Sequence, residues 1–380
     1  MENNGYRAKI DEIDAKMTEL FTERMNVAGE IAAFKKEKGL PVLDPKRERE
    51  KIESVREAVP EAYQDYVEQL YRLMFELSRS HQHRLIGRES DLASKILRAV
   101  EETPNLFPEC ATVACQGTEG AFSGLAADRL FRHPGVMYFS TFGAVFTAIE
   151  KGLCRYGVVP LENSTAGSVN SVYDLMMEHH FYIVRSIRLK VDHNLLAKPG
   201  VKLSEIREIR SHEQALAQSA GFLQSLPNVK VVAMENTAVA AESVARSERR
   251  DVAAIASSEA MRTYGLECLK ESVQDKRNNY TRFICISKDL EIYPGADRTS
   301  LMAVLPHEAG SLYKMLSRFY ALGINLNKLE SRPLPDRDFE FMFYFDLDTP
   351  VYSPRLLELL GGLGGVTERF SYLGSYSEVI

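Results

Sequence analysis

The sequence predicts a multidomain protein: an all-α region, then an α/β region, then a smaller α+β unit. Three observations predict it. Apolar residues from Ile10 to Phe34 recur at heptad spacing, the pattern of one long helix. Beyond about residue 110, short β-branched runs alternate with helical stretches, as in parallel α/β architecture. From about Arg298 to Ile380 the pattern reads strand, helix, strand, strand, helix, strand, the βαββαβ order of a ferredoxin-like unit. At 380 residues the chain also exceeds what one hydrophobic core usually organises.

The first helix carries Ile10, Ile13, Met17, Leu20, Val27, Ile31 and Phe34 on one stripe, interrupted at Arg24. Gly39 and Pro41 close it. Asp44-Pro45 opens a second helix, with the aspartate as cap and the proline in the first turn. A third follows Pro60, with Tyr63, Val67, Leu70, Met74 and Leu77 on one face. Between about Gly87 and Pro108 the chain turns polar and proline-punctuated, which marks a boundary. Strands are then expected at Thr112–Ala114, Tyr156–Val159, Val229–Val232 and Val252–Ile255, with a helix from Glu213 to Leu226. In the last region the strands are expected at Ser300–Leu305, Asn327–Arg332, Glu340–Asp346 and Thr367–Leu373, and the helices at Gly310–Leu322 and Pro354–Leu360.

Composition removes several function classes. A net charge of -6 offers no basic surplus for a nucleic-acid backbone. The start has charged residues in every turn, unlike a signal peptide, and no later segment reaches membrane-span length. Cys110, Cys115, Cys154, Cys268 and Cys285 form no CxxC pair, and the histidines lack metal spacing. Neither a disulfide framework nor a metal site is expected, and a reducing cytoplasm is the simplest setting.

A cation on an apolar stripe is costly unless it meets an anion. Arg24 is such a cation. On residue type alone a structural ion pair or a solvent-reaching arginine is the favoured reading. Lys35, Arg47 and Arg7 add to the same surplus, however, and a dianionic ligand would satisfy them. Arg7 and Lys35 lie 28 positions apart, roughly 42 Å along a helix, so one small molecule cannot bridge them within one chain. Antiparallel pairing of two long helices in a dimer would bring Arg7 of one chain to the other chain's Lys35. Asp44, Arg47 and Glu48 share the start of the second helix, while Ser78 and Gln82 lie one turn apart on the third.

The segments Arg7-Ala8-Lys9-Ile10, Glu23-Arg24, Lys35, Asp44-Pro45-Lys46-Arg47-Glu48-Arg49 and Ser78 to Gln82 resemble the all-helical chorismate mutases fused to prephenate dehydratase. The resemblance implies that Arg24 and Arg47, with Arg7 from a second chain, clamp the carboxylates of chorismate. It implies Lys35 and Gln82 as donors to the ether oxygen that gains charge as its bond breaks. Asp44, Glu48 and Ser78 would bind the ring hydroxyl or order the cations. Such a rearrangement needs a folded conformer and preorganised donors rather than a nucleophile.

In the α/β region, Gly117-Thr118-Glu119-Gly120-Ala121-Phe122-Ser123-Gly124 is a weak anion-site signal by itself. Pro160 to Val169, which holds Glu162, Asn163 and Ser164, is expected directly after a strand, where an ordinary capped turn is by itself the favoured reading. Ser211-His212-Glu213-Gln214 is expected to start a helix with Ser211 as cap. Asn278-Asn279-Tyr280-Thr281-Arg282-Phe283 is expected before the strand Ile284–Ile286. Together these four segments resemble prephenate dehydratase in order and spacing. The resemblance implies a two-lobed fold like the periplasmic binding proteins, with prephenate in the cleft. Thr281 would protonate the departing hydroxyl, with Asn163, Ser211 and Gln218 orienting the substrate. Arg282 would hold a carboxylate, and Glu162, Ser164 and Phe283 would complete the site. Glu213 departs from the family's usual Ser-His-Pro-Gln.

Leu329-Glu330-Ser331-Arg332-Pro333 and Gly310-Ser311-Leu312-Tyr313 resemble the two effector segments of ACT domains that follow dehydratases. They imply L-phenylalanine as effector at Gly310, Ser311, Leu312, Glu330, Ser331 and Arg332. The expected units are 1–88, a linker over 89–109, 110–292 and 298–380. The expected chemistry is chorismate to prephenate, then prephenate to phenylpyruvate, carbon dioxide and water, with no cofactor and no metal, in a homodimer or higher homo-oligomer. Two rivals remain at this stage: a helical region that only dimerises, and a two-lobed binding module without chemistry.

Overall fold

The computed structural model describes residues 3–86, 91–334 and 340–379. The expected boundary between 88 and 89 lies outside them, as do the chain ends Met1 and Ile380. The helical unit consists of α1 (Asn3–Lys38), α2 (Pro45–Glu57) and α3 (Glu61–Ile86). Asp44 caps α2, accepting from the Arg47 amide at 3.0 Å. The heptad stripe of α1 is not a core within one chain. Its seven apolar residues are 42–63% exposed, and every residue from Gly5 to Glu23 is exposed. The reason is length. At 36 residues α1 runs to about 54 Å, and it meets α3 through its second half, where Ala28 and Ala32 are buried and Gly29 lies against Leu85 and His81.

The expected linker carries a helix, α4 (Asp91–Glu102). Its buried Ile96 and Ala99 join the core of the C-terminal unit.

The α/β region forms two lobes. Its elements are β1 (Cys110–Gln116), α5 (Phe122–Leu130), β2 (His133–Phe139), α6 (Phe142–Glu150), β3 (Tyr156–Asn163), β4 (Gly167–Ser168), α7 (Asn170–Glu178) and β5 (Tyr182–Lys190). The second lobe holds β6 (Asn194–Ala197), β7 (Glu208–His212), α8 (Glu213–Gln218), α9 (Ala220–Gln224), β8 (Lys230–Met234), α10 (Thr237–Arg246), β9 (Val252–Ala256), α11 (Ser258–Tyr264) and β10 (Glu267–Lys270). The chain then returns to the first lobe as β11 (Tyr280–Ser287). Where the chain crosses between lobes, His193 N donates to Gln274 Oε1 at 2.9 Å and Val191 N to Asn279 O at 2.8 Å, tying the two crossings together.

The expected parallel pairing holds in the lobe centres, where β1, β2 and β3 run parallel, as do β7, β8 and β9. It fails for β11, which runs antiparallel between β3 and β5, and for β6 against β9. A returning strand inserts in the direction its entry point dictates. Three local expectations also change. Glu162, Asn163 and Tyr280 to Phe283 lie within strands. His212 caps α8. The helix expected over Glu213 to Leu226 breaks at Ser219 into α8 and α9.

The C-terminal unit follows the expected order: β12 (Arg298–Val304), α12 (Ser311–Ala321), β13 (Asn325–Pro333), β14 (Phe341–Asp348), α13 (Pro354–Gly362) and β15 (Arg369–Tyr376). Its strands are antiparallel in the order β13-β14-β12-β15. Alternation divides the sheet between two cores. Leu301, Ala303, Phe345 and Leu347 pack with α12, α13 and α4. Met302, Val304, Met342 and Tyr344 pack against Val172, Tyr173 and Met176 of the first lobe. The last strand, β16 (Glu378–Val379), pairs with β5, so the chain end is woven into the first lobe's sheet. Among the described residues no helix is long and apolar enough to cross a membrane, and no group of three or more His, Cys, Asp or Glu is placed to hold a metal ion.

Candidate functional site

A cavity of about 510 Å³ lies between the two lobes. Strand β11 supplies Thr281 and Phe283 to it, and β3 supplies Pro160 and Asn163. Register explains the set. Thr281 pairs with Asn163 and Phe283 with Pro160, and cross-strand partners share a face.

Asn163 is the node of the site. Its Oδ1 accepts from the amides of Thr165 (3.0 Å) and Ala166 (2.9 Å) and from Thr165 Oγ1 (2.7 Å). This orientation aims Nδ2 at Asn279 Oδ1 (2.7 Å) and Thr281 Oγ1 (2.9 Å). Thr281 is therefore an acceptor from Asn163, and its own hydroxyl proton has no acceptor among the described residues. Gln218 closes the network, donating to Thr165 Oγ1 at 2.7 Å and accepting from Asn279 at 3.0 Å. Gln218 Oε1 also lies 3.0 Å from His193 Nε2, so His193 donates from Nε2. Burial holds the His193 imidazole below its ordinary value and keeps it neutral near pH 7.

Neither lysine nor arginine is among the described residues lining this cavity. The cavity wall carries helix starts instead. Ala121, Phe122 and Ser123 open α5, and Asn236 and Thr237 open α10, all at the cavity wall. Helix starts favour anions in general.

Four expected substrate residues are placed elsewhere. Arg282 and Glu162 sit on the opposite face of the same two strands because successive side chains alternate. Arg282 is buried against Asp346 (2.5 Å) and Tyr376 (2.9 Å) of the C-terminal unit, so it does not hold a substrate carboxylate. Glu162 accepts from Lys328 at 2.6 Å. Burial raises the Glu162 carboxyl, but the hydrogen bond and charge of Lys328, with Arg282 beside it, outweigh burial and hold it below the usual range. Ser211 is fully buried and donates to Ile255 O at 2.6 Å, which turns it into the second lobe's sheet. Ser164 ties its turn to the start of β11, bonded to Asn278 O and Tyr280 N at 3.0 Å each. Conversely, sequence reasoning gave no role to Thr165, Asn279 or His193. Asn279 stood inside a quoted motif, whereas a lone histidine at a lobe crossing carries no sequence signal.

In the helical unit, Arg24 donates to Ser78 Oγ at 2.5 Å and lies over the Phe75 ring. Gln82 is buried beside them, with its Oε1 unpartnered among the described residues. Lys35 turns to Val42 O at 2.5 Å. Glu48 accepts from Arg79. Arg47 is 72% exposed near Glu50, and Arg7 is exposed. One chain thus gathers Arg24, Ser78 and Gln82 and leaves Arg7 and Arg47 in solvent.

Alternation also divides the expected effector residues. Ser311 and Leu312 line a cavity of about 300 Å³ with Phe341 and Phe343, and Ser331 pairs with Phe343 in register. Glu330 and Arg332 face the first lobe instead, Glu330 accepting from Ser168 and Arg332 pairing with Asp174 at 2.8 Å. Gly310, at φ +85°, caps α12.

The chorismate mutase type II family model matches residues 6–83, and the prephenate dehydratase model matches residues 113–291. A bifunctional chorismate mutase/prephenate dehydratase of Aquifex aeolicus is 32% identical over 381 aligned residues, covering 98% of this chain and 97% of that protein. Arogenate dehydratase 2 of Petunia hybrida is 36% identical over 281 residues, 70% of this chain and 71% of its own length. The crystal structure of a prephenate dehydratase from Arthrobacter aurescens in complex with L-Phe is 28% identical, with a TM-score of 0.65, covering 70% of this chain and 89% of that one. Fold, cleft and matched segments define the class, a dehydratase of aromatic amino-acid biosynthesis with a mutase fused ahead of it. The chain belongs to the bifunctional chorismate mutase/prephenate dehydratase family. It rearranges chorismate to prephenate and converts prephenate to phenylpyruvate on the route to phenylalanine.

Proposed function

We propose that the lobe cleft is the dehydratase site and that Thr281 is its proton donor. The observation that carries this is the bond from Asn163 Nδ2 to Thr281 Oγ1 at 2.9 Å, which leaves the threonine proton for the cavity. As the ring-to-carboxylate bond breaks, its electron pair enters the ring, carbon dioxide leaves, and the ring hydroxyl departs as water with the proton from Thr281. Solvent returns that proton before the next turnover. Threonine is a weak acid, so placement and aromatisation supply the driving force rather than a matched pKa. The amides opening α5 and α10 meet the substrate carboxylates, while Gln218 and Asn279 hold Asn163 in register.

In the mutase, Lys35 and Gln82 donate to the ether oxygen, and Gln82 is already buried for this role. Arg24, Arg47 and Arg7 of the partner subunit clamp the carboxylates, with Asp44, Glu48 and Ser78 at the ring hydroxyl. The exposed stripe of α1 supports a homodimer, since a second copy would cover apolar residues that one chain leaves in water. The C-terminal unit is an ACT domain that binds L-phenylalanine near Ser311, Leu312 and Ser331 and feeds back on activity. The A. aurescens complex with L-Phe supports that effector. The enzyme works in the cytoplasm. The test supplies chorismate, then prephenate, and follows prephenate and phenylpyruvate with and without phenylalanine. Phenylpyruvate from both substrates, suppressed by phenylalanine, is expected. Product unaffected by phenylalanine, with no heat of binding, removes the sensor from this reading.

A further inference from the structure

Glu48, expected at the chorismate hydroxyl, is the first member of a charge relay that leaves the helical unit. Arg79 on α3 donates through Nη1 to Glu48 and through Nη2 to Glu76. Glu76 accepts in turn from Arg318 Nε on α12 at 3.2 Å. Arg318 also donates to the carbonyl of Gly362, at the end of α13. The charges alternate along the relay, and the side chains of Arg79, Glu76 and Arg318 are only 10–11% exposed. The same groups border a cavity of about 600 Å³, whose walls are Glu48, Glu76 and Arg79 on one side and Gly310, Tyr313 and Ser317 on the other.

We propose that Arg79 is a positioning residue of the mutase site and that the C-terminal unit holds it there through Glu76 and Arg318. Glu48 sits on the first turn of α2, and among the described residues its carboxylate is bonded by Arg79. The planar fork of Arg79 fixes it by bonding two carboxylates at once. Removing Arg79 leaves Glu48 without its partner and Glu76 with Arg318 alone, while removing Arg318 leaves Glu76 held by Arg79 alone; a substrate-binding carboxylate displaced by about 1 Å loses rate steeply. The mutase is therefore tuned by a side chain that contacts no mutase-site residue, Arg318 of the C-terminal unit.

This inference rests on Glu48 being a chorismate contact, and the experiment separates the two. Full-length Glu48→Gln, Arg79→Met, Arg79→Lys and Arg318→Met proteins are compared for kcat and KM with chorismate and, separately, with prephenate. Arg79→Met is expected to lower kcat/KM for chorismate by about tenfold or more, with prephenate turnover unchanged. Arg318→Met should move chorismate kcat/KM the same way by about threefold, and Arg79→Lys, which keeps the charge but not the fork, should recover part of the loss. If Arg79→Met does not fold, the other two variants decide. A Glu48→Gln protein with normal mutase activity overturns the site reading and the proposal with it. An impaired Glu48→Gln beside wild-type chorismate kinetics in the relay variants overturns the proposal alone.

Discussion

In the lobe cleft, Asn163, Thr165, Gln218, Asn279 and Thr281 bond one another within one chain. In the helical unit one chain gathers Arg24, Ser78 and Gln82 while Arg7 and Arg47 stand in water. The contrast follows from how each unit buries surface. A two-lobed α/β body makes its own concavity, so a neutral hydrogen-bond network can be completed internally. In the three-helix unit the first half of the long α1 is exposed. The polar groups differ as well: the cleft wall carries helix starts, whereas the helical unit carries arginine side chains.

Several experiments would break or sharpen this contrast. The largest effect is expected for Thr281→Ala, which should lower kcat for prephenate by about 10²–10⁴-fold and leave chorismate consumption intact. Equal losses in both steady-state assays would mean that the two sites are not independent. Next, Leu20→Asp on the exposed stripe should yield monomers by analytical ultracentrifugation, with mutase activity down about 10²-fold and prephenate turnover retained. A fully active monomeric mutase would show that one chain completes the site.

Arg282→Met strips the partner from the buried Asp346 and is expected to cost about 3–5 kcal/mol, read by urea denaturation. Were Arg282 a substrate ligand, prephenate KM would rise while stability stayed put. The smallest effect concerns acid. Because the Glu162 carboxyl is held below the usual range when folded, its contribution is present above that range and is lost as pH falls through the depressed folded value. Glu162→Gln should therefore cost under about 1 kcal/mol at neutral pH and flatten the acid limb of the stability profile. An unchanged limb would assign acid sensitivity to other groups.

Much of this architecture was legible in the residues. Asp44-Pro45 marked a helix start, the last region's order of elements held through all six, and the Asn163 and Thr281 motifs led to the cleft. Other parts were not legible for physical reasons. The linker helix was hidden beside proline-punctuated turns, and its apolar face is narrow: Ile96 and Ala99 are buried, with Leu92 and Val100 packed against the same core. Ser211 looked like a cap because sequence shows a serine before a helix, not the Ile255 carbonyl waiting across the sheet.

By itself the sequence determined which chemistry-bearing residues are present and where helices such as the one after Asp44-Pro45 start, whereas the structure placed Thr281 and Arg282 within a strand, on opposite faces. Only the tertiary structure decided which face was the cleft. Register between β3 and β11 paired Thr281 with Asn163 and Arg282 with Glu162, and docking of the C-terminal sheet then buried the charged pair against Asp346 and Lys328. A strand's period is local, but the side that faces solvent, substrate or another unit is set by contacts distant in sequence.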